Sequence, residues 1–343
     1  MAKCVFRNGR IIKDYSSPYI VAELNSSHGG DLEKARSLID AAKKAGADCV
    51  KFQSWNKESL YSKTYYDENR LAERFVRKFS LSPEKLKEMA DYCREQGLDF
   101  SSTPYSKAEV DFLSDEAEAP FIKVASMEIN NPSFLEYIGR KGVPVVLSTG
   151  MSDMDEIRRA VRILENAGAA EITILHCVSI YPTDLTSVNL NNIIGLREEF
   201  PTHPIGFSDH TRGNEASVAA VALGAGLLEK HLTLDRETVG MDNKMATEPD
   251  EFIGYVRACR DTVIAMGTKE RVVSEAEREQ RVKMRRSLVS ARDLSAGHVI
   301  EAADLTAKRP GSGFSPDREE ELIGKTLQRD IPADTVIFPE DIL

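Results

Sequence analysis

Eight apolar runs of strand length alternate with amphipathic helical patterns along residues 19–266, and this alternation constrains the fold more than any other feature. The runs are 19–24, 49–54, 99–104, 121–126, 143–149, 172–177, 204–209 and 227–232. Such short continuous apolar stretches fit strands buried on both faces. Seven are followed by clear helical stretches, such as 31–46, 82–97, 153–168 and 249–266. Start signals include Ser152-Asp153 before Met154 and Ser82-Pro83, with proline at the first helical position. Gly46, Gly97 and Gly168 stand where C-terminal caps belong. Repetition of this kind leads either to a closed (β/α)8 TIM barrel or to an open doubly wound sheet.

The polar residues at the strand ends favour the barrel. In order they are Glu23; Lys51 and Gln53; Ser101, Ser102 and Thr103; Lys123, Ser126 and Glu128; Ser148 and Thr149; His176 and Tyr181; Asp209 and His210; Lys230 and His231. A barrel gathers all eight C-terminal ends into one ring, where active sites lie. An open sheet would spread them along an edge. Before the first run, residues 3–14 read as a hairpin turning at Asn8-Gly9, a candidate plug for the barrel's N-terminal end. After the second, the insertion 55–81 is rich in Tyr, Lys and Arg and reads as a lid or interface element.

The barrel domain is expected over 1–267. Residues 268–286, with seven basic and four acidic side chains, read as a solvated linker helix. A compact β-rich domain of about 57 residues (287–343) follows, small enough to be marginal alone. It holds an internal repeat at a constant offset of 37 residues, Arg292-Asp293-Leu294 through Ile300 recurring as Arg329-Asp330-Ile331 through Ile337. Between the copies, Lys308-Arg309-Pro310-Gly311-Ser312-Gly313 forms a loop that is either an ordinary turn or a means of delivering Arg309 to an active site.

Composition narrows the function. A net charge of −10 argues against a nucleic-acid partner, which would need a basic face. No apolar run approaches a membrane span, and the start lacks the apolar core of a secretion signal. Five scattered cysteines, without CxxC spacing, read as reduced thiols in a cytoplasmic protein.

Two chemistries suit the ring. Lys51, Lys123 and Lys230, with the Ser and Thr hydroxyls, form a cationic bowl for a phosphorylated or carboxylated substrate. One of these lysines could instead form a Schiff base, as in a class I aldolase. His210 and His231, on the last two barrel strands, are candidate ligands for a divalent metal that would act as a Lewis acid, with Asp209 orienting the ring beside it. A sugar-binding barrel without catalysis is the reading from another class.

Several motifs together resemble the sialic acid (nonulosonate) synthase family, ending in an antifreeze-like (SAF) domain. They are Ile20-Val21-Ala22-Glu23, Val50-Lys51-Phe52-Gln53, Ser102-Thr103-Pro104-Tyr105, Lys123-Val124-Ala125-Ser126-Met127-Glu128, Leu147-Ser148-Thr149-Gly150, Leu175-His176-Cys177-Val178-Ser179-Ile180-Tyr181-Pro182, Gly206-Phe207-Ser208-Asp209-His210-Thr211, Glu229-Lys230-His231 and Lys308-Arg309-Pro310-Gly311. The resemblance implies condensation of phosphoenolpyruvate with a 2-acylamino hexose, N-acetylmannosamine by default. The diacetamido-trideoxyhexose precursors of legionaminic or pseudaminic acid are the alternatives. It implies that His210 and His231 hold Mn2+, or Mg2+ or Co2+ in its place. Lys51, Thr103, Lys123, Ser126, Ser148 and Ser179 would bind phosphoenolpyruvate. Gln53, Glu128, Tyr181 and Asp242 would face the sugar, with Glu23 as acid/base. Arg309 would reach the partner's barrel in a domain-swapped homodimer. The chain departs from the family pattern at Ser27-His28-Gly29-Gly30, Gly240-Met241-Asp242-Asn243 and Arg285-Arg286-Ser287, all at the acceptor end.

Overall fold

The structure is a computed structural model and describes residues 2–343. It forms two compact units, Met1–Gly267 and Thr268–Leu343.

The first unit opens with an antiparallel hairpin, β1 (Lys3–Val5) and β2 (Ile11–Lys13). Eight parallel strands follow: β3 (Tyr19–Glu23), β4 (Cys49–Gln53), β5 (Asp99–Thr103), β6 (Ile122–Val124), β7 (Val145–Ser148), β8 (Ile172–Cys177), β9 (Ile205–Asp209) and β10 (Leu227–His231). Their spatial order, β5-β4-β3-β10-β9-β8-β7-β6, is that of a barrel, with β3 paired to β10 and the first strand thus joined to the last. The seam between β5 and β6 carries no ladder; there Ser101 Oγ donates to the Phe121 carbonyl at 2.8 Å. A TIM barrel therefore replaces the open-sheet alternative.

Side chains alternate inward and outward along each strand. Outward residues such as Ile20, Val50, Phe100, Ile174 and Leu228 pack under the helices in the main core. Inward residues near the strand starts, Tyr19, Val21, Cys49, Phe121, Val146, Leu175 and Leu227, form a separate core with Cys4, Phe6 and Ile12 of the hairpin. Phe6 stacks on Phe121 with ring centroids 4.6 Å apart. The hairpin is thus the floor plug anticipated from the sequence. Helix starts follow their signals: Asp31 accepts from the Glu33 and Lys34 N–H groups, and Asp153 and Glu156 form a capping box.

The insertion folds into three short helices, Lys57–Leu60, Lys63–Glu68 and Arg70–Phe79. They pack around a small cluster of Trp55, Tyr66, Val76 and Phe79.

The second unit begins with the helix Glu275–Met284, which buries no residue, as expected of a solvated segment. β11 (Ser287–Ser290) and β12 (Leu305–Lys308) then pair antiparallel. The 37-residue repeat is realised as reciprocal bonding. Leu294 and Ile331 exchange both backbone hydrogen bonds. Asp293 accepts from Ala333 N and Asp330 from Ala296 N, each at 2.7 Å. Arg292–Asp304 and Arg329–Asp341 are equivalent ion pairs, each with a fully buried carboxylate. The cluster Leu288, Leu294, Ile300, Leu322, Leu327, Ile331 and Ile337 lies between the halves.

All five cysteines are free and buried. No helix among the described residues is long and apolar enough to cross a membrane.

Candidate active site

A cavity of about 360 Å³ opens at the C-terminal end of the barrel. Strand parity decides what it contains. On β10, Glu229 and His231 point inward and Lys230 outward; on β9, Ser208 and His210 point inward and Asp209 outward. Glu23, Lys51, Gln53, Thr103, Lys123, Ser126, Ser148, Ser179, Tyr181, His210, His231 and Asp242 all line the cavity.

Three expectations are corrected by the same parity. Lys230 is not part of the cationic bowl: its ammonium is held under the helix layer by Asp209 Oδ2 at 2.9 Å and by the Thr211 carbonyl. Asp209 does not orient His210: it accepts from Thr211 and Ser217 and pairs with Lys230. His176 faces outward, its Nε2 2.6 Å from the Val188 carbonyl and its ring stacked on Phe207. Glu128 lies off the cavity wall for another reason. It ends a 3-10 turn, Ser126–Glu128, and its carboxylate accepts from Asn131 Nδ2 at 2.9 Å. Arg309 belongs to the second unit. It is exposed on a loop pinned by Ser287, whose hydroxyl donates to the Pro310 carbonyl and accepts from Gly313 N.

Glu229 is the residue the sequence reasoning missed. Its carboxylate lies 3.8 Å from Lys51 Nζ and 3.9 Å from Lys123 Nζ, and accepts from Ser208 Oγ at 3.2 Å. Lys51 also pairs with Glu23 and donates to Thr103 Oγ1 at 3.0 Å, and Lys123 donates to Ser148 Oγ at 2.6 Å. Two ammonium groups that are 2% and 3% exposed are thus each given a carboxylate and a hydroxyl, as buried charge requires. Burial pulls Lys51 down, but Glu229 and Glu23 outweigh it and the net shift is upward. For Lys123 burial wins and the shift is downward. Burial pushes Glu23 up to about 7, against the pull of Lys51 and with the help of Glu229.

Beside the lysines, hydroxyls converge on Gly150, whose N–H donates to Ser126 Oγ at 2.9 Å. A Cβ at position 150 would stand 2.3 Å from Ser179 Oγ and 2.9 Å from Ser126 Oγ, so only glycine leaves the cradle open. Ammonium groups and hydroxyls converging in one pocket are the usual equipment for anionic oxygens.

The two imidazoles face each other across the cavity, centroids 5.4 Å apart. His210 Nδ1 sits 2.8 Å from the Val178 carbonyl, so it carries the proton and leaves the Nε2 lone pair free. Burial, then the positive charges nearby, hold His231 well below its usual range, in the neutral form that binds metals. Asp242 Oδ2 lies 3.9 Å from His231 Nδ1. No set of three or more His, Cys, Asp or Glu among the described residues is already gathered for an ion. Burial pulls His210 down, but Cys177, the Val178 carbonyl and Glu229 outweigh it and the net shift is upward. Two imidazoles with a carboxylate nearby fit a catalytic divalent ion whose other positions are open to substrate and water.

Comparison with known proteins adds to this geometry. The NeuB family profile matches residues 38–271 and the SAF domain profile residues 285–343. N,N'-diacetyllegionaminic acid synthase of Campylobacter jejuni is 36% identical over 331 residues, 93% of this chain and 98% of that protein. N-acetylneuraminate-9-phosphate synthase of Homo sapiens is 33% identical, covering 97% of this chain and 94% of its own. Among solved structures, the N-acetylneuraminic acid synthetase of Leptospira borgpetersenii superposes with a TM-score of 0.73 at 30% identity, over 81% of this chain and 96% of that one.

Proposed function

The chain belongs to the NeuB family and carries a SAF domain, and from that premise we propose that it condenses phosphoenolpyruvate with a 2-acylamino hexose to give a nine-carbon 3-deoxy-2-ulosonic acid and phosphate. One observation supports this reading above others: the Lys51 and Lys123 ammonium groups and the hydroxyl cradle around Gly150 share a single cavity with two facing imidazoles.

Lys51, Lys123, Thr103, Ser126, Ser148 and Ser179 bind the phosphate and carboxylate of phosphoenolpyruvate. Gln53, Tyr181 and Asp242 bind the acceptor. C3 of phosphoenolpyruvate bonds to the aldehyde carbon, water adds its oxygen to C2, and the C2–O bond breaks so that phosphate leaves with the electron pair. Glu23, raised by burial above the usual carboxylate range, can hold a proton and move it between water and the sugar oxygen. Gln53 keeps it in place, donating to Glu23 at 3.1 Å while accepting from Trp55 and Tyr105. Mn2+, or Mg2+ or Co2+, held by His210 and His231 would supply Lewis acidity at the aldehyde oxygen. Arg309, on its pinned exposed loop, completes the acceptor site of a partner subunit in a domain-swapped homodimer. Dependence on phosphoenolpyruvate and five free thiols support a cytoplasmic setting.

The test is stoichiometric phosphate release from phosphoenolpyruvate in the presence of an acylamino hexose, lost on adding EDTA and restored by Mn2+. A His210→Ala, His231→Ala double variant with full activity would remove the metal assignment. A Schiff-base reading has one point in its favour, the downward shift of Lys123. Borohydride trapping of a substrate on Lys123, with turnover insensitive to EDTA, would replace the condensation mechanism by that one.

A further inference from the structure

We propose that Asn25 is a positioning residue of the cavity: its backbone N–H holds the Glu23 carboxylate and its side-chain amide holds the Asp242 carboxylate, so that the two keep one fixed spacing. This rests on the condensation reading above and adds to it the part that sets the acceptor against Glu23.

Asn25 lines the cavity just after β3 and is 4% exposed. Its backbone lies in the left-handed region, with φ at 42°. Most L residues avoid that region, and asparagine is among the few that tolerate it. From there the backbone N–H donates to Glu23 Oε1 at 2.9 Å, and Nδ2 donates to Asp242 Oδ2. The remaining Oδ1 is buried without a hydrogen-bond partner. A left-handed backbone and an orphaned buried oxygen both oppose folding. The fold alone therefore does not call for asparagine here, whereas its two contacts do. Glycine would keep the backbone but lose the arm, and aspartate would set a like charge against Asp242.

The contact is one rung of a clasp. Ser26 Oγ accepts from the Met241 N–H at 2.8 Å, and Ser27 Oγ donates to Asn243 Oδ1 at 3.1 Å. Three consecutive residues of the loop after the first barrel strand thus hold three consecutive residues of the loop after the last. Of the three holders, Asn25 alone lines the cavity.

The two carboxylates depend on it unequally. Glu23 also pairs with Lys51 and accepts from Gln53 Nε2 at 3.1 Å. Asp242 accepts a hydrogen bond from Asn25 Nδ2 and from no other donor among the described residues. Cutting the arm back to glycine leaves Glu23 with all its donors and sets Asp242 loose. An acceptor bound by a loose Asp242 is held weakly and presented off line to Glu23, so binding and turnover suffer together.

The experiment measures phosphate release from phosphoenolpyruvate with whichever of N-acetylmannosamine and a 2,4-diacetamido-2,4,6-trideoxyhexose the native chain turns over faster. Asn25→Gly should melt within about ten degrees of the native chain, because its backbone conformation suits glycine. Its kcat/KM for the acceptor should fall roughly 10–100-fold, the worth of one hydrogen bond to a charged group. The fall should appear in kcat as well as KM, with KM for phosphoenolpyruvate unchanged. Adding Asn25→Gly to Asp242→Ala should slow the acceptor no further, because the amide acts through that carboxylate. Losses that multiply, a change in acceptor KM alone, or native kinetics in Asn25→Gly overturn the positioning role and leave the condensation standing. So does a larger drop in melting temperature, which would make Asn25 a structural residue. No release by the native chain with either acceptor overturns the condensation and the role together.

Discussion

Glu229 and Lys123 face each other on the barrel floor, carboxylate oxygen to ammonium nitrogen at 3.9 Å, and neither is more than 5% exposed. The same carboxylate lies 3.8 Å from Lys51, so one group serves both buried lysines of the cavity. Removing one charge of a buried pair costs about 3–5 kcal/mol because its partner is left uncompensated. In Glu229→Gln the Ser208 bond survives and Lys51 keeps Glu23, so a loss of about 2–3 kcal/mol is expected. Urea unfolding followed by the fluorescence of the single tryptophan, Trp55, reports it. An unchanged midpoint would mean that the pair is not coupled as its distances imply.

Gly150→Ala isolates the hydroxyl cradle. The added methyl would displace the Ser126 and Ser179 hydroxyls, which lie 2.9 and 2.3 Å from its position. Losing about two hydrogen bonds to a charged oxygen corresponds to roughly a hundredfold rise in KM for phosphoenolpyruvate. KM for the acceptor should stay within a few fold. Equal effects on both substrates would argue against a cradle dedicated to the donor.

Arg309 offers a test of subunit exchange. Arg309→Ala and the His210→Ala, His231→Ala double variant should each be inactive alone. If the arginine acts on the partner's barrel, co-refolding the two in equal amounts should restore roughly a quarter of native activity, because half the dimers are mixed and each has one complete site. No recovery would place the arginine's action within its own chain, or nowhere.

The second unit should be acid-sensitive through Asp304. Burial raises this carboxyl, but His298, the Glu301 N–H and Arg292 outweigh burial and hold it at about 2. An unfolded aspartate titrates near 3.9. A depressed carboxylate contributes stability that is complete above the unfolded value and is lost as pH falls through the folded one. Protection factors for hydrogen exchange across 287–308, taken against the intrinsic rate at each pH, should therefore fall between about pH 4 and pH 2. Asp304→Asn should cost about 1–3 kcal/mol at pH 7 and flatten that dependence. Protection factors equal at pH 2 and pH 7 would rule the network out as a source of stability.

The barrel was readable because its strands are short, apolar and regularly spaced, and because every one ends in polar residues. What could not be read was which of two neighbours faces inward. A strand such as Leu227–His231 is buried on both faces, and no alternation of apolar and polar residues marks its parity. Lys230 was therefore credited to the cavity that Glu229 occupies, and Asp209 to a histidine it does not touch. Fixing His231 as inward would have assigned Glu229 by the two-residue period alone. The insertion's share of the cavity lining was hidden for a different reason. The 55–81 insertion has no periodicity that says where Leu60 and Tyr61 point, and only tertiary packing brings them to the cavity. The SAF repeat was fully visible, because a constant offset survives in the sequence even where each strand is too short to recognise.

The hairpin plug makes the barrel a well with one opening. Phe6 and Ile12 seal its lower end, while Lys51, Lys123 and Ser148 lie at the bottom and Tyr181 and Met241, 47% and 39% exposed, stand at the brim. Whatever sits at the bottom must arrive before whatever covers it. Traffic through such a well is first in, last out: in the proposed condensation the enolpyruvate would load ahead of the sugar, and an acceptor that settled early would become its own inhibitor.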